Sequence, residues 1–380
     1  MTLGMSAAAL AGAPAAAAPV APTAPAAPAV PAATAEVPKP LAARRGRLAS
    51  RTVVTSPVIP LTHLSVASAG AAAVRLRTAA GWGSWQELRG CAGGRDGRSA
   101  GPRSGVVLAT GATGYEVRVS DGSDASVTEL NMVDGPRRAV AAPAGYLPLP
   151  DGQRLPNYLP RSQWGADESL RFGEDGTEVW PGEFFPVQTI TVHHTGVYEH
   201  NDDPDPAATI RAIYYDQCVL QAWGDIGYHL LIDEAGRVYE GRYSGSDPVP
   251  VFGSTPATGR LMVNGAHVGG YNAGNIGVCL LGRFTSRQPS PAAQQSLVRV
   301  LAALSVLARR DPQARTTYVN PVSGASGEVN VVPGHRDWAS IGAGPTECPG
   351  DAFYSYLPGV RKKAALLRSL GQPETRRGRA

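Results

Sequence analysis

Apolar positions between residues 158 and 372 alternate between the spacing of strands and the spacing of helices. Short, almost continuously apolar runs predict buried strands. These runs are 188–193, 227–232, 237–240 and 275–281. The runs 227–232 and 237–240 flank Glu234-Ala235-Gly236 and predict a hairpin.

Two longer stretches have helical periodicity. After Asp205-Pro206, which is typical of an N-cap followed by a first-turn proline, apolar residues recur at Ile210, Ile213, Tyr214 and Cys218. Ser290-Pro291 likewise precedes a run with Leu297, Val300, Leu301, Leu304 and Leu307 on one face, and 360–370 predicts a terminal helix. Strands alternating with helices predict a mixed α/β domain, a central sheet flanked by helices, over 158–372.

Residues 51–133 have a different pattern, in which short alternating runs are broken by glycine and serine. Tyr115, Val117 and Val119 alternate cleanly, which favours a small all-β domain resembling a sandwich. Trp82 and Trp85 fit a place in its core better than an exposed, sugar-stacking surface, although both interpretations stay open.

The remaining segments are rich in proline, alanine or arginine. Residues 1–20 are small and apolar, and predict a secretory signal peptide without its basic start. Residues 21–50 and 134–157 are predicted to be linkers, and 373–380 a basic tail. We therefore expect export, and independent folding of residues 158–372.

Composition excludes several classes of function. A formal net charge of only +4 argues against nucleic acid as a partner. No segment approaches the roughly 18 apolar residues that a membrane span needs. Four cysteines are too sparse for a disulfide scaffold, so Cys218 and Cys279 are interpreted as buried thiols. We expect a monomer.

Three side chains at the ends of predicted elements are candidate zinc ligands. They are His193, His335 and Cys348. Catalytic zinc sites offer three nitrogen or sulfur ligands and leave a position for water, which fits hydrolysis of an amide. Spacing alone leaves open a second interpretation, a buried pair of imidazoles and an inert thiol.

Six motifs in fixed order carry more information than the ligand spacing. They are RSQWGAD (161–167), TVHHTG (191–196), WGDIGYHLLID (223–233), VYEGR (238–242), GAHVGGYNAGNIGVCLLG (265–282) and GHRDW…TECPG (334–350). Together they resemble the type 2 N-acetylmuramoyl-L-alanine amidases, the family of the peptidoglycan recognition proteins, in a form similar to actinobacterial members. The resemblance covers residues 158 to about 360.

The resemblance implies a zinc ion held by His193, His335 and Cys348. It also places Tyr228 and Thr346 beside the metal, as donors to the developing oxyanion. Cys348 follows His335 by 13 residues, more than in many relatives, so 339–345 is predicted to be a longer loop.

The resemblance also implies a groove for the peptidoglycan stem. Its expected substrate-binding residues are His194, Trp223, Arg242, His267 and Asn272. His194 would support the metal site by packing, and Asn272 would hold its loop by hydrogen bonds to the backbone. Arg242 and Trp223 suggest a stem containing diaminopimelate, whose extra carboxylate would meet Arg242.

These implications predict a secreted, cell-wall-associated zinc amidase that cuts between N-acetylmuramic acid and L-alanine. The alternative is a zinc-containing module that binds peptidoglycan with little or no catalysis. Relatives without activity generally lose the cysteine, so Cys348 together with Tyr228 favours the enzyme. An endopeptidase would need a general-base carboxylate motif, which we do not find.

Overall fold

The computed structural model describes residues 34–88, 93–98, 101–142, 145–197, 203–246, 248–253 and 260–370. The predicted signal peptide, the basic tail and Cys91 lie outside these residues. No helix in the described ranges is both long and apolar enough to cross a membrane.

The described residues between 34 and 141, which we call the β-region, contain eleven strands. They are β1 (Thr34–Pro38), β2 (Leu41–Leu48), β3 (Arg51–Val54), β4 (His63–Ser68), β5 (Ala72–Thr78), β6 (Gly81–Trp82), β7 (Gln86–Leu88), β8 (Arg103–Leu108), β9 (Gly114–Val119), β10 (Ala125–Asn131) and β11 (Arg137–Ala141). One antiparallel sheet has the order β2-β10-β4-β8, and the other has β3-β9-β5-β6 with β7 also on β5. Leu64, Val74, Val107, Tyr115 and Val127 lie in the core of this sandwich.

The prediction of linkers at 21–50 and 134–157 is wrong where β1, β2 and β11 form. β2 adds to the edge of β10, from Leu41 opposite Asn131 to Leu48 opposite Ala125. β1 pairs with β11 along its whole length. Pairing partners 77 to 107 residues further along the chain supply the hydrogen bonds that the local sequence does not indicate.

The tryptophan pair lies at the surface of the β-region, so its predicted place in the core is wrong. Trp82 is 39% exposed. The Arg75 guanidinium stacks 4.9 Å from the ring of Trp82 and 5.0 Å from that of Trp85. Cation–π contact with Arg75 stabilises these two rings at the surface.

Residues 158–370 form the predicted mixed α/β structure. Its strands are β12 (Tyr158–Leu159), β13 (Phe184–Pro186), β14 (Thr189–His194), β15 (Leu230–Ile232), β16 (Val238–Glu240), β17 (Leu261–Val263), β18 (Asn275–Leu280), β19 (Arg315–Val319) and β20 (Ser326–Asn330). Its α-helices are α1 (Arg161–Trp164), α2 (Pro206–Tyr215), α3 (Pro291–Leu307), α4 (Asp351–Tyr354) and α5 (Leu357–Leu370). Short 3-10 turns occupy Glu168–Arg171 and His335–Ile341, and a π-turn, Asp216–Leu220, extends α2.

The central sheet has the order β12-β16-β15-β18-β14. β14, β18 and β15 are parallel, and β16 returns antiparallel to β15 as the predicted hairpin. Alternate residues of these strands point to opposite faces. One face packs on α3 and α5, and the other packs on α2 together with Leu130 and Met132 of the β-region. The β-region and the sheet are therefore parts of one compact unit.

Candidate metal centre and groove

The three candidate ligands come from segments that backbone pairing joins at one end of the sheet. His193 is near the end of β14, where the amide of Val192 donates to Pro333 O at 2.9 Å. That contact places His335, the first residue of its 3-10 turn, beside His193, with ring centroids 4.6 Å apart. The amide of His194 donates to Cys348 Sγ at 3.3 Å, which fixes the thiol on the same side.

The ligand atoms of His193, His335 and Cys348 lie within 4.8 Å of one another, and all three residues are buried. Neither ring nitrogen of His335 has a hydrogen-bond partner among the described residues. Leaving buried polar atoms without partners is costly unless another group satisfies them. Two imidazoles and a thiol in this arrangement fit the donor set that zinc prefers. The longer 339–345 segment leaves Cys348 within the cluster.

Hydrogen bonds fix which nitrogen of His193 faces this cluster. His267 Nε2 lies 2.8 Å from the carbonyl of Asn275, an acceptor only, so Nε2 carries the proton. His267 Nδ1 must then accept from His193 Nε2, which lies 2.9 Å away. His193 Nδ1 keeps its lone pair and lies 3.7 Å from Cys348 Sγ. Burial, then the neighbouring His193 and His229, lowers the pKa of His267 well below its usual value.

Tyr228 lies beside the cluster, whereas Thr346 lines a separate cavity next to the β-region. The Tyr228 ring is buried, 5.4 Å from the ring of His193, and borders a groove. The Thr346 hydroxyl accepts from the amide of Cys348 at 3.2 Å, so its own proton can still be donated elsewhere. Trp223 lines the same groove.

The structure does not place the other predicted substrate-binding residues in the groove. His194 Nδ1 accepts from the amide of Phe284 at 3.2 Å, and its ring packs near that phenylalanine. His267 is buried behind His193 instead of lining the groove. Asn272 is fully buried, and its Oδ1 accepts from the amides of His267 and Val268, which holds their loop.

The predicted role of Arg242 in binding substrate is wrong, because its guanidinium cannot reach a substrate. It is fully buried and donates to Asp225 at 2.9 Å, and Arg161 donates to the other oxygen of Asp225 at 3.0 Å. Burial alone would raise the pKa of Asp225, but the two guanidinium groups hold it below its usual value. Arg242 also stacks 3.9 Å from the ring of Trp180. The Arg242 guanidinium therefore stabilises the fold and is not exposed to the groove.

The groove beside Tyr228 has a volume of about 400 Å³. One side is formed by the end of α2 and the loop 266–270 of the α/β structure. The other side comes from the β-region, through residues 93–98 and 101–106. Sequence reasoning missed this contribution because nothing near residue 93 marks it as part of a site.

Comparison with known proteins identifies relatives of the α/β structure. Residues 183–351 match the family model described as N-acetylmuramoyl-L-alanine amidase. The human N-acetylmuramoyl-L-alanine amidase is 30% identical over 174 residues, 45% of this chain and 24% of that protein. Peptidoglycan-recognition protein SA of Drosophila melanogaster is 30% identical over 155 residues, 40% of this chain and 64% of that one.

Among solved structures, wild-type Drosophila PGRP-LB aligns with 53% of this chain and 91% of that chain, at 24% identity and a TM-score of 0.37. The chain spans only about a quarter of the human relative and of its pig counterpart.

Proposed function

We propose that this chain is a zinc-dependent peptidoglycan hydrolase. The match over residues 183–351 makes it a member of the N-acetylmuramoyl-L-alanine amidase family, with relatives among the peptidoglycan recognition proteins. The bond cut is the amide between N-acetylmuramic acid and L-alanine of the stem peptide. The observation that carries the proposal is the buried trio His193, His335 and Cys348 beside Tyr228, which borders a groove.

In this proposal the chain's own residues supply orientation and hydrogen bonds. His267 holds His193 with Nδ1 directed into the cluster, the role of an outer partner of a ligand histidine. Zinc, when bound there, lowers the pKa of a water molecule and polarises the amide carbonyl. The Tyr228 phenol donates to the oxygen on which negative charge develops, and Thr346, two residues before Cys348, would offer a second hydroxyl.

Peptidoglycan lies outside the cytoplasmic membrane, so the proposal includes export. Support comes from the small, apolar residues 1–20, which lie outside the described residues.

The second candidate function is a recognition module that holds zinc and a muropeptide without cutting it. The intact trio and Tyr228 at the groove favour catalysis. A recognition module needs only the groove, whereas hydrolysis needs a metal ligand set and an oxyanion donor in the same place.

The deciding experiment measures zinc stoichiometry together with release of L-alanine amino termini from purified peptidoglycan. Cys348→Ser should lower zinc affinity and abolish cleavage, because a serine hydroxyl is a far poorer ligand than a thiolate. Tyr228→Phe should keep zinc and slow turnover by about a hundredfold, the scale of losing one oxyanion donor. A wild-type protein that binds zinc one to one yet releases no amino termini would establish the recognition module instead.

A further inference from the structure

The β-region reaches into the groove through residues 93–98, which we call the strap and which lie between β7 and β8. We propose that the strap is the specificity-determining wall of the groove and that Arg98 binds a carboxylate of the substrate peptide. This inference rests on the proposed function, since it names how the same groove selects its substrate.

Asp96 fixes the strap to the α/β structure, on the opposite side of the groove. Its carboxylate accepts from the amide of Ala273 at 2.9 Å, from Asn320 Nδ2 at 2.8 Å, and from Asn272 through the side-chain amide at 2.7 Å. The backbone amide of Asn272 also points to this carboxylate, at 3.2 Å from each oxygen. Asn272 Nδ2 donates in addition to Gly94 O. A carboxylate that accepts several N–H groups at once holds a chain segment firmly.

The strap also touches the groove residue Trp223 directly. A Cβ added at Gly93 would lie 3.0 Å from Ala266 O and 3.2 Å from the Trp223 ring, so the strap and the groove wall are in close contact there. Arg95 Nη1 donates to Trp223 O at 3.1 Å, and its guanidinium stacks 4.5 Å from the ring of Trp180. These two contacts of Arg95 therefore hold the strap against the groove.

Arg98 differs from Arg95 and Arg242 in having no such structural partner. Its side chain is exposed, borders the groove, and makes no ion pair among the described residues. Burial, then the charges of Arg98 and Arg242, lowers the pKa of Arg95 to about 10. Asp216 also borders the groove, but burial raises its pKa and two serines hydrogen-bond to it.

A groove with an unpaired guanidinium favours an anionic ligand over a neutral one. In a muropeptide the carboxylates belong to the peptide, whereas the glycan is neutral apart from the muramic lactyl group, which the amide blocks. An arginine at the wall can meet a carboxylate in a bidentate pair. The structure thus assigns to the β-region a direct part in choosing the substrate.

The test compares two ligands in the full chain carrying Tyr228→Phe, so that the ligand survives the titration. One ligand is N-acetylmuramyl-L-alanyl-D-glutamyl-L-lysine with free carboxyl groups, and the other is the same compound with them amidated. Calorimetry should show that the free form binds about tenfold more tightly, the scale of one charged hydrogen bond. Arg98→Gln should remove that preference. The control Arg47→Gln changes an exposed arginine of β2 away from the groove and should keep it.

The proposal that Arg98 binds a carboxylate is overturned if the preference persists in Arg98→Gln. It is also overturned if the chain carrying Tyr228→Phe alone shows no preference. Failure to bind either ligand overturns the groove and the proposed function together. If the zinc-loaded wild type cuts nothing while the carboxylate preference depends on Arg98, only the enzymatic function fails.

Asp96→Asn tests the strap itself, because an amide cannot accept from all these donors. It should abolish the carboxylate preference and leave zinc content unchanged. If Asp96→Asn in the otherwise wild-type chain instead speeds hydrolysis of the muropeptide, the strap obstructs the groove and is not its specificity wall.

Discussion

His193 shows how one side chain depends on neighbours that contribute nothing to the metal directly. His193 Nε2 donates to His267 Nδ1, and His267 Nε2 donates to the Asn275 carbonyl, so the free lone pair of His193 is on Nδ1. The acceptor at His267 Nδ1 favours the tautomer of His193 that carries its proton on Nε2. The orientation of a metal ligand therefore rests on a residue that sequence reasoning placed in the substrate groove.

At this scale we predict that His267→Phe lowers zinc affinity by about tenfold to a hundredfold, because it removes the outer partner of a ligand histidine. Competition with a chromogenic chelator measures the affinity without reference to activity. The control is His229→Phe, which alters a buried imidazole bonded to Val263 O and to the amide of Gly277. The control should cost stability and leave zinc affinity nearly unchanged; equal losses of affinity would refute the role of His267.

At the scale of a single element, helix α3 is held at its start by Ser290. Ser290 is its N-cap, and Ser290 Oγ accepts from the amide of Ala293 at 3.0 Å. The amide of Ser290 donates to Glu234 Oε2 at 2.7 Å, and its hydroxyl donates to Glu234 O, so the cap also ties α3 to the β15–β16 hairpin. The start of the helix and the turn of the hairpin are held by one residue.

We predict that Ser290→Ala lowers the free energy of unfolding by about 1 kcal/mol or somewhat more, since a helix cap is lost together with a contact to the hairpin. Urea denaturation followed by circular dichroism measures the change. Ser369→Ala, at an exposed serine near the end of α5, is the matched control and should cost little. A Ser290 variant as stable as this control would show that the cap contributes nothing.

At the scale of the whole molecule, the β-region and α2 share one buried interface. Leu130 and Met132 pack in the same cluster as Ile210 and Ile213 of α2. The buried carboxylate of Asp216 accepts from Ser65 at 2.6 Å and from Ser104 at 2.9 Å, both in the β-region.

Two further polar contacts cross this interface. His63 Nε2 lies 2.9 Å from the hydroxyl of Thr209, and Arg211 donates to Met132 O at 2.9 Å. Burial, then the charge of Arg211, lowers the pKa of His63 to about 3, so its ring is neutral at pH 7. The contacts are those of a domain core and not of a flexible tether.

We therefore predict that residues 158–372 expressed alone lose a cooperative thermal transition or aggregate. Removing the β-region exposes the apolar face of α2 and takes away the hydroxyl donors to Asp216. Circular dichroism melting and binding of a hydrophobic dye would detect both effects. Residues 34–372, which keep the β-region, serve as the control and should melt like the full chain. A fragment that unfolds at the same temperature as the full chain would restore the expectation of an independent domain.

The sequence by itself determined the elements whose causes are local. Asp205 and Ser290 cap α2 and α3, and the apolar runs become β14, β15, β16 and β18, because caps and hydrophobic periodicity act within a few residues. The six motifs likewise named the trio His193, His335 and Cys348, since His193 lies within one motif and His335 and Cys348 lie within another.

Only the tertiary structure decided what depends on partners far along the chain. The carboxylate of Asp96 meets Asn272, 176 residues away, and no local pattern records that pairing. Arg242 resembles a groove residue until Asp225 and Trp180 bury it, and His267 does so until His193 occupies its Nδ1. A side chain's chemistry is written in the sequence, but whether it meets substrate or another part of the protein depends on which surfaces fold against each other.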